Sequence, residues 1–181
     1  MSVRRRTFAG LGPRGWRTTR WTIAVALLAL PAIAMQFTRE VDWSAGDFLF
    51  MGVLLASVVG LYELATRNSD PVFRIGVALA VLTAFLIIWI NLAVGIAESN
   101  VGVFFIPPLI ALAGSMIAHF RPRGMAAAMT CAAIAHLPAA IVVDPKPGTW
   151  PLNLIFAAMW IGAAWLFRRA GTEPVEPQSE A

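Results

Sequence analysis

Six apolar runs separated by short polar connectors constrain this chain more than any other feature. They cover residues 21–37, 48–65, 75–97, 101–118, 125–143 and 151–167, and only Glu63 places a charge inside one of them. A helix crossing about 30 Å of hydrocarbon needs roughly 17–25 mostly apolar residues, and each run is that long. The runs are apolar on every side, without the two-residue alternation of a membrane-spanning strand. A helix satisfies its backbone donors and acceptors without water, as the bilayer core demands. The expected fold class is therefore all-α, a polytopic transmembrane bundle of about six spans.

Composition agrees. Of the 181 residues 59% are hydrophobic and 13% charged, against about 45–50% and 25% in an average soluble domain. That deficit of charge excludes an ordinary soluble globule, a disordered chain and a nucleic-acid-binding domain. The net charge of +4 would suit nucleic acid if it formed a patch. Here the basic residues sit in short clusters between apolar runs, so they speak to orientation in a bilayer, and no nucleic-acid partner is expected.

The connectors, 38–47, 66–74, 98–100, 119–124 and 144–150, leave no room for a folded loop domain. Sequential spans are then antiparallel neighbours. Three regions follow: a basic segment 1–20, a transmembrane domain 21–169, and an acidic tail 170–181. The tail carries Glu173, Glu176 and Glu180 with Pro174 and Pro177, a disordered composition. The inverted internal repeat that marks many transporters is not evident.

Twelve of the fourteen basic residues fall on one side of a six-span threading: Arg4, Arg5, Arg6, Arg14, Arg17 and Arg20; Arg67 and Arg74; Arg121 and Arg123; Arg168 and Arg169. Arg39 and Lys146 are left for the other side, with Glu40, Asp42, Asp47, Glu98 and Asp144. Positive residues stay cytoplasmic, so both termini are expected in the cytoplasm of a bacterial inner membrane. Trp21, Trp43 and Trp150 fall at the interfaces, where aromatic belts form. Arg5-Arg6-Thr7-Phe8 has the look of a twin-arginine signal, and Ala32-Ile33-Ala34 of a cleavage site. The apolar run starts well after the arginines and continues past Ala34, which favours an uncleaved first anchor.

Few polar groups lie within the runs. Glu63 precedes Arg67 by four residues, the favourable order for a helical ion pair, and reads first as an interfacial pair setting helix depth, with a proton or cation site facing the bundle interior as the sharper alternative. Asn91 shares a helical face with Thr83, Ile87 and Glu98. It reads as packing glue through an interhelical hydrogen bond, with a polar cavity open to the outside as the sharper alternative. His136 precedes Pro138, which frees backbone carbonyls. It reads as a packed neutral imidazole, with a titrating or metal-binding group as the alternative. Met116, His119, Met125 and Met129 would suit Cu(I), but methionine is a common filler and no metal or other cofactor is expected. Cys131, the single cysteine, reads as a buried inert thiol. Ala111 with Ser115, and Gly114 with Ala118, are small-residue pairs that let helices approach closely. Pro107 and Pro108 would loosen the first turns of the fourth span.

Met35-Gln36-Phe37-Thr38, Glu40-Val41, Trp43, Asp47-Phe48, Tyr62-Glu63-Leu64 with Arg67, Trp89-Ile90-Asn91-Leu92-Ala93-Val94-Gly95-Ile96, and Phe120-Arg121-Pro122 with Gly124-Met125-Ala126 together resemble a family of small bacterial multi-pass membrane proteins with no assigned activity. The resemblance covers residues 21–169 and implies fold and location but no mechanism. Members often carry a longer polar connector after the third span; here Glu98-Ser99-Asn100 is very short.

Enzyme motifs are absent: no phosphate-cradling glycine loop, no metalloprotease histidine pair, no nucleophile elbow. Three readings follow in order. The first is a non-enzymatic accessory, scaffold or assembly component whose partners are the lipid bilayer, other membrane proteins or further copies of itself. The second is a small transporter or channel subunit with a wet cavity lined by Asn91, His136 and Glu98. The third is a membrane-embedded enzyme.

Overall fold

A computed structural model describes residues 13–66, 70–94, 101–143 and 150–172. Among them every regular element is helical: α1 Pro13–Ala34, α2 Ala45–Ala65, α3 Pro71–Val94, a 3-10 segment Val101–Phe105, α4 Ile106–Ile117, α5 Pro122–Val143 and α6 Trp150–Ala170. Ala45–Ala65, Pro71–Leu92 and Trp150–Ala170 are long and apolar enough to cross a membrane, and the apolar helix Gly102–Ile117 is shorter.

The helices begin and end where local chemistry directs. Ser44 and Asp47 form a capping box at the start of α2: the Ser44 N–H donates to Asp47 Oδ2 at 2.8 Å, and the Asp47 N–H to Ser44 Oγ at 3.3 Å. Trp43 packs edge-on against Phe48 across that cap, with ring centroids 5.3 Å apart. Asp70 caps α3 by accepting from the Phe73 N–H at 2.8 Å, so α3 starts at Pro71, ahead of the apolar run at 75. α1 likewise starts at Pro13 and ends at Ala34, not spanning 21–37 as expected; residues 35–37 form a turn. The run 101–118 is not one α-helix. Pro107 and Pro108 stand at its α-helical start, where missing N–H groups cost nothing, and the residues before them tighten into the 3-10 turn.

The chain divides into two compact units, residues 1–60 and 61–181, with the division inside α2. In the first, Leu28 of α1 reaches Gly52 of α2, and Ala24, Met51, Leu55 and Val59 are buried.

The second unit holds the main core. α5 packs between α4 and α6, α6 packs on α3, and the 3-10 segment touches α3, α4 and α5. All three helix pairs are antiparallel. Phe73 of α3 meets Phe167 of α6 at 5.2 Å, Gly114 of α4 lies on Ala128 of α5, and Pro122 and Arg123 of α5 border Gly171 beyond α6. Small residues set the spacing. A methyl group on Gly114 would stand 2.6 Å from the Ala128 Cβ, and one on Gly124 would collide with Ala118. Trp160, Phe167, Ile87, Met129 and His136 fill the centre, wholly buried.

Large aliphatic and aromatic side chains face outward. On α6, Leu154, Ile155, Ile161 and Trp165 are exposed while Asn153, Ala157, Ala163 and Ala164 are buried. Ile117 of α4 is 79% exposed. A water-soluble monomer does not show apolar surface on this scale; lipid tails accept it readily. Cys131 belongs to the outward face of α5 and is exposed, which corrects the expectation of a buried thiol.

α4 joins α5 through a left-handed turn. Ala118 ends α4, the His119 N–H donates to the Met116 carbonyl at 2.9 Å, and the Phe120 N–H to the Ser115 carbonyl at 3.0 Å, a Schellman arrangement. His119 and Phe120 both have positive φ, 48° and 57°, at roughly 1–2 kcal/mol each for an L residue. Packing of Phe120 against the core offsets that strain.

A candidate site around a buried histidine

The inward stripe of α5 runs through Met125, Met129, Ala132 and Ala133 to His136 and Ala139. Helical spacing therefore delivers an imidazole into a position otherwise filled by small or flexible apolar groups. His136 has no exposed surface. Phe104 of the 3-10 segment lies 5.9 Å from its ring, tilted, and Phe156 of α6 5.8 Å away, edge-on. The Asn153 side chain of α6 is near enough to interact with the ring, yet neither ring nitrogen closes a hydrogen bond of ordinary length and angle. Asn153 is not among the residues that the sequence singles out. Its signal was its register with Phe156, Trp160, Ala163 and Phe167 on one helical stripe.

Other buried polar side chains are satisfied by their own helices. Thr83 Oγ1 donates to the Leu79 carbonyl at 2.7 Å, Ser115 Oγ to Ala111 at 2.7 Å, and Thr130 Oγ1 to Ala126 at 2.8 Å. This i to i−4 return is the cheapest way to hide a hydroxyl in lipid. Asn91 does the same. It is half-buried, and its amide donates to the Ile87 carbonyl at 2.7 Å, so that bond runs within α3 and not across to a neighbour as expected. The Trp160 indole N–H is buried without an acceptor.

The remaining candidates are dispersed. Glu63 is half-buried near the end of α2; Arg67, its expected partner, lies outside the described residues, as do Glu98, Arg4, Arg5 and Arg6. Met125 and Met129 are in the core while Met116 and His119 are exposed, so these four form no common ligand set. Among the described residues no group of three or more His, Cys, Asp or Glu side chains is placed to hold a metal ion. Arg74, Arg121, Arg123, Arg168 and Arg169 are all exposed and gather at one end of residues 61–172: the start of α3, the start of α5 and the end of α6. His136, Asn153 and Asn91 lie toward the opposite end.

A partly open cavity of about 80 Å³ runs between the end of α2 (Leu61 and Ala65), α3, α4, the start of α5 and the side of Trp160. Neither Asn91 nor His136 lines it, and its walls are almost wholly apolar.

The packing reading of His136 makes a testable prediction. A buried polar atom without a partner costs about 1–3 kcal/mol, whereas an apolar replacement of similar shape is nearly neutral. His136→Leu is therefore expected to leave unfolding in mixed micelles within about 1.5 kcal/mol of the wild type. A loss well beyond that would mean that the ring nitrogens make a bond worth keeping.

Comparison with protein-family models, with curated proteins and with solved structures returns no match.

Proposed function

We propose that the chain is an integral protein of a bacterial inner membrane, crossing it six times with both termini in the cytoplasm. It works there without catalysis, as an accessory, scaffold or assembly component. The observation that carries this reading is the inverted construction of the helices. Many large apolar side chains face outward, the inward faces combine small residues with a few large ones such as Trp160 and Phe167 and the few polar ones, and the inward hydroxyls are spent on their own helix carbonyls. Such a body offers its surroundings helix surface and keeps its polar chemistry to itself.

Four spans besides α2 and α6 complete the threading. α1 and α5 have 22 residues each and α3 has 24, about 33–36 Å of helix. The 3-10 segment adds about 10 Å to the roughly 18 Å of α4. The basic residues at one end of α3, α5 and α6 fit a cytoplasmic face.

Reporter fusions test the threading. A cytoplasmic reporter fused after Arg169 is expected to be active and a periplasmic one inactive; the reverse would overturn it. Recovery of the chain in the supernatant of an alkaline membrane wash would overturn the membrane reading itself.

A further inference from the structure

α3 and α4 meet only marginally, and the cavity of about 80 Å³ is the gap this leaves. The slot is partly open to its surroundings, and water held in it would need two to four polar partners. The walls supply little of that: the Ser115 hydroxyl is already committed to the Ala111 carbonyl, and most of the rest is Val, Ala, Leu, Pro and Met. An apolar void of this kind takes hydrocarbon.

One part of it lies beside the α4–α5 turn, against Ser115, Phe120 and Met125. From Ser115 it follows α4 for two turns to Pro108, about 10 Å deeper. At that turn Arg121 and Arg123 are exposed, with Arg74 and the α6 arginines at the same end of the bundle. Arg169 lies over the Trp165 ring at 3.8 Å. Glu63 and Asp70 are the acidic residues among those described in 61–172, and Asp70 is engaged in capping α3. An apolar slot thus lies beneath a turn rich in guanidinium groups, which match phosphate oxygens in geometry and charge.

We propose that this end of the bundle binds one anionic phospholipid, its phosphate held by Arg121 and Arg123 and a few methylenes of one acyl chain seated between α3 and α4. The proposal rests on the chain being embedded in a bilayer, not on which side the basic end faces.

Native mass spectrometry tests it. The full chain, purified in mild detergent, is incubated with phosphatidylglycerol or phosphatidylcholine of identical acyl chains, and retained lipid is counted. Each arginine near a lipid headgroup is worth about fivefold in affinity. Phosphatidylglycerol is therefore expected to be retained about fivefold to twenty-fivefold more than phosphatidylcholine. Arg121→Gln with Arg123→Gln, both at exposed positions, is expected to bring that ratio close to one. Ala84→Leu, which fills the slot, is expected to lower phosphatidylglycerol retention while the lipid-free Tm stays at or above wild type. Equal retention of the two lipids by the wild type, or unchanged retention in the arginine variant, would overturn the proposal. Unchanged retention in Ala84→Leu would overturn the seat of the acyl chain. A chain washed off membranes by alkali would instead overturn the membrane reading.

Discussion

Truncating Trp160 to alanine is expected to cost the bundle about 3–5 kcal/mol, the largest effect of any single substitution considered. The ring has no exposed surface and forms one wall of the cavity between α3 and α4. Removing it enlarges an existing void, so the neighbours have little to collapse onto, and the cost of a truncation rises with the void left behind. In lipid that cost is lost van der Waals contact more than transfer from water. Trp160→Phe separates volume from polarity. The indole N–H has no acceptor, so phenylalanine should recover most of the loss, leaving about 1–2 kcal/mol for the smaller ring. Reversible unfolding in mixed micelles measures both variants. Equal losses for Phe and Ala would show that the N–H is bonded after all.

The second large effect concerns the α4–α5 seam. Gly114→Ala is expected to destabilise by about 1–3 kcal/mol, although alanine is the better helix former by roughly 1 kcal/mol. The added methyl would stand 2.6 Å from Ala128 Cβ and 3.3 Å from its Cα, and backbone cannot swing aside as a long side chain can. Moving the methyl across the seam cures this: Gly114→Ala with Ala128→Gly is expected to lie within about 1 kcal/mol of the wild type. The test is the sign of the coupling in a double-mutant cycle. Additive losses would mean that the two helices do not meet at these residues.

Much of the fold was legible because a bilayer demands continuous apolar helix. Over its described residues each of the six runs overlaps a helix, and the differences lie at helix ends and within the run 101–118. Asp70 and Pro71 draw α3 backward, Arg168 and Arg169 stay helical in the last turn of α6, and Pro107 and Pro108 divide the run 101–118. What was not legible is which way each side chain faces. In water an apolar stripe marks the buried side of a helix. In lipid every side is apolar, and the buried side is marked by small residues instead. That is why Cys131 was placed inside and is outside, and why Asn153, three residues into α6, could not be told from an interfacial residue. His136 was legible because histidine amid alanines stands out on any face. Asn91 was legible as a polar group, but its bond within α3 depends on a rotamer that spacing does not reveal.

The left-handed turn at His119 and Phe120 bears on how the protein is made. With only residues 118–121 between them, α4 and α5 have no slack in which one could wait outside while the other settles. In the proposed six-span threading they enter the membrane as a single hairpin, and the short, proline-headed α4 is carried in by its longer alanine-rich neighbour.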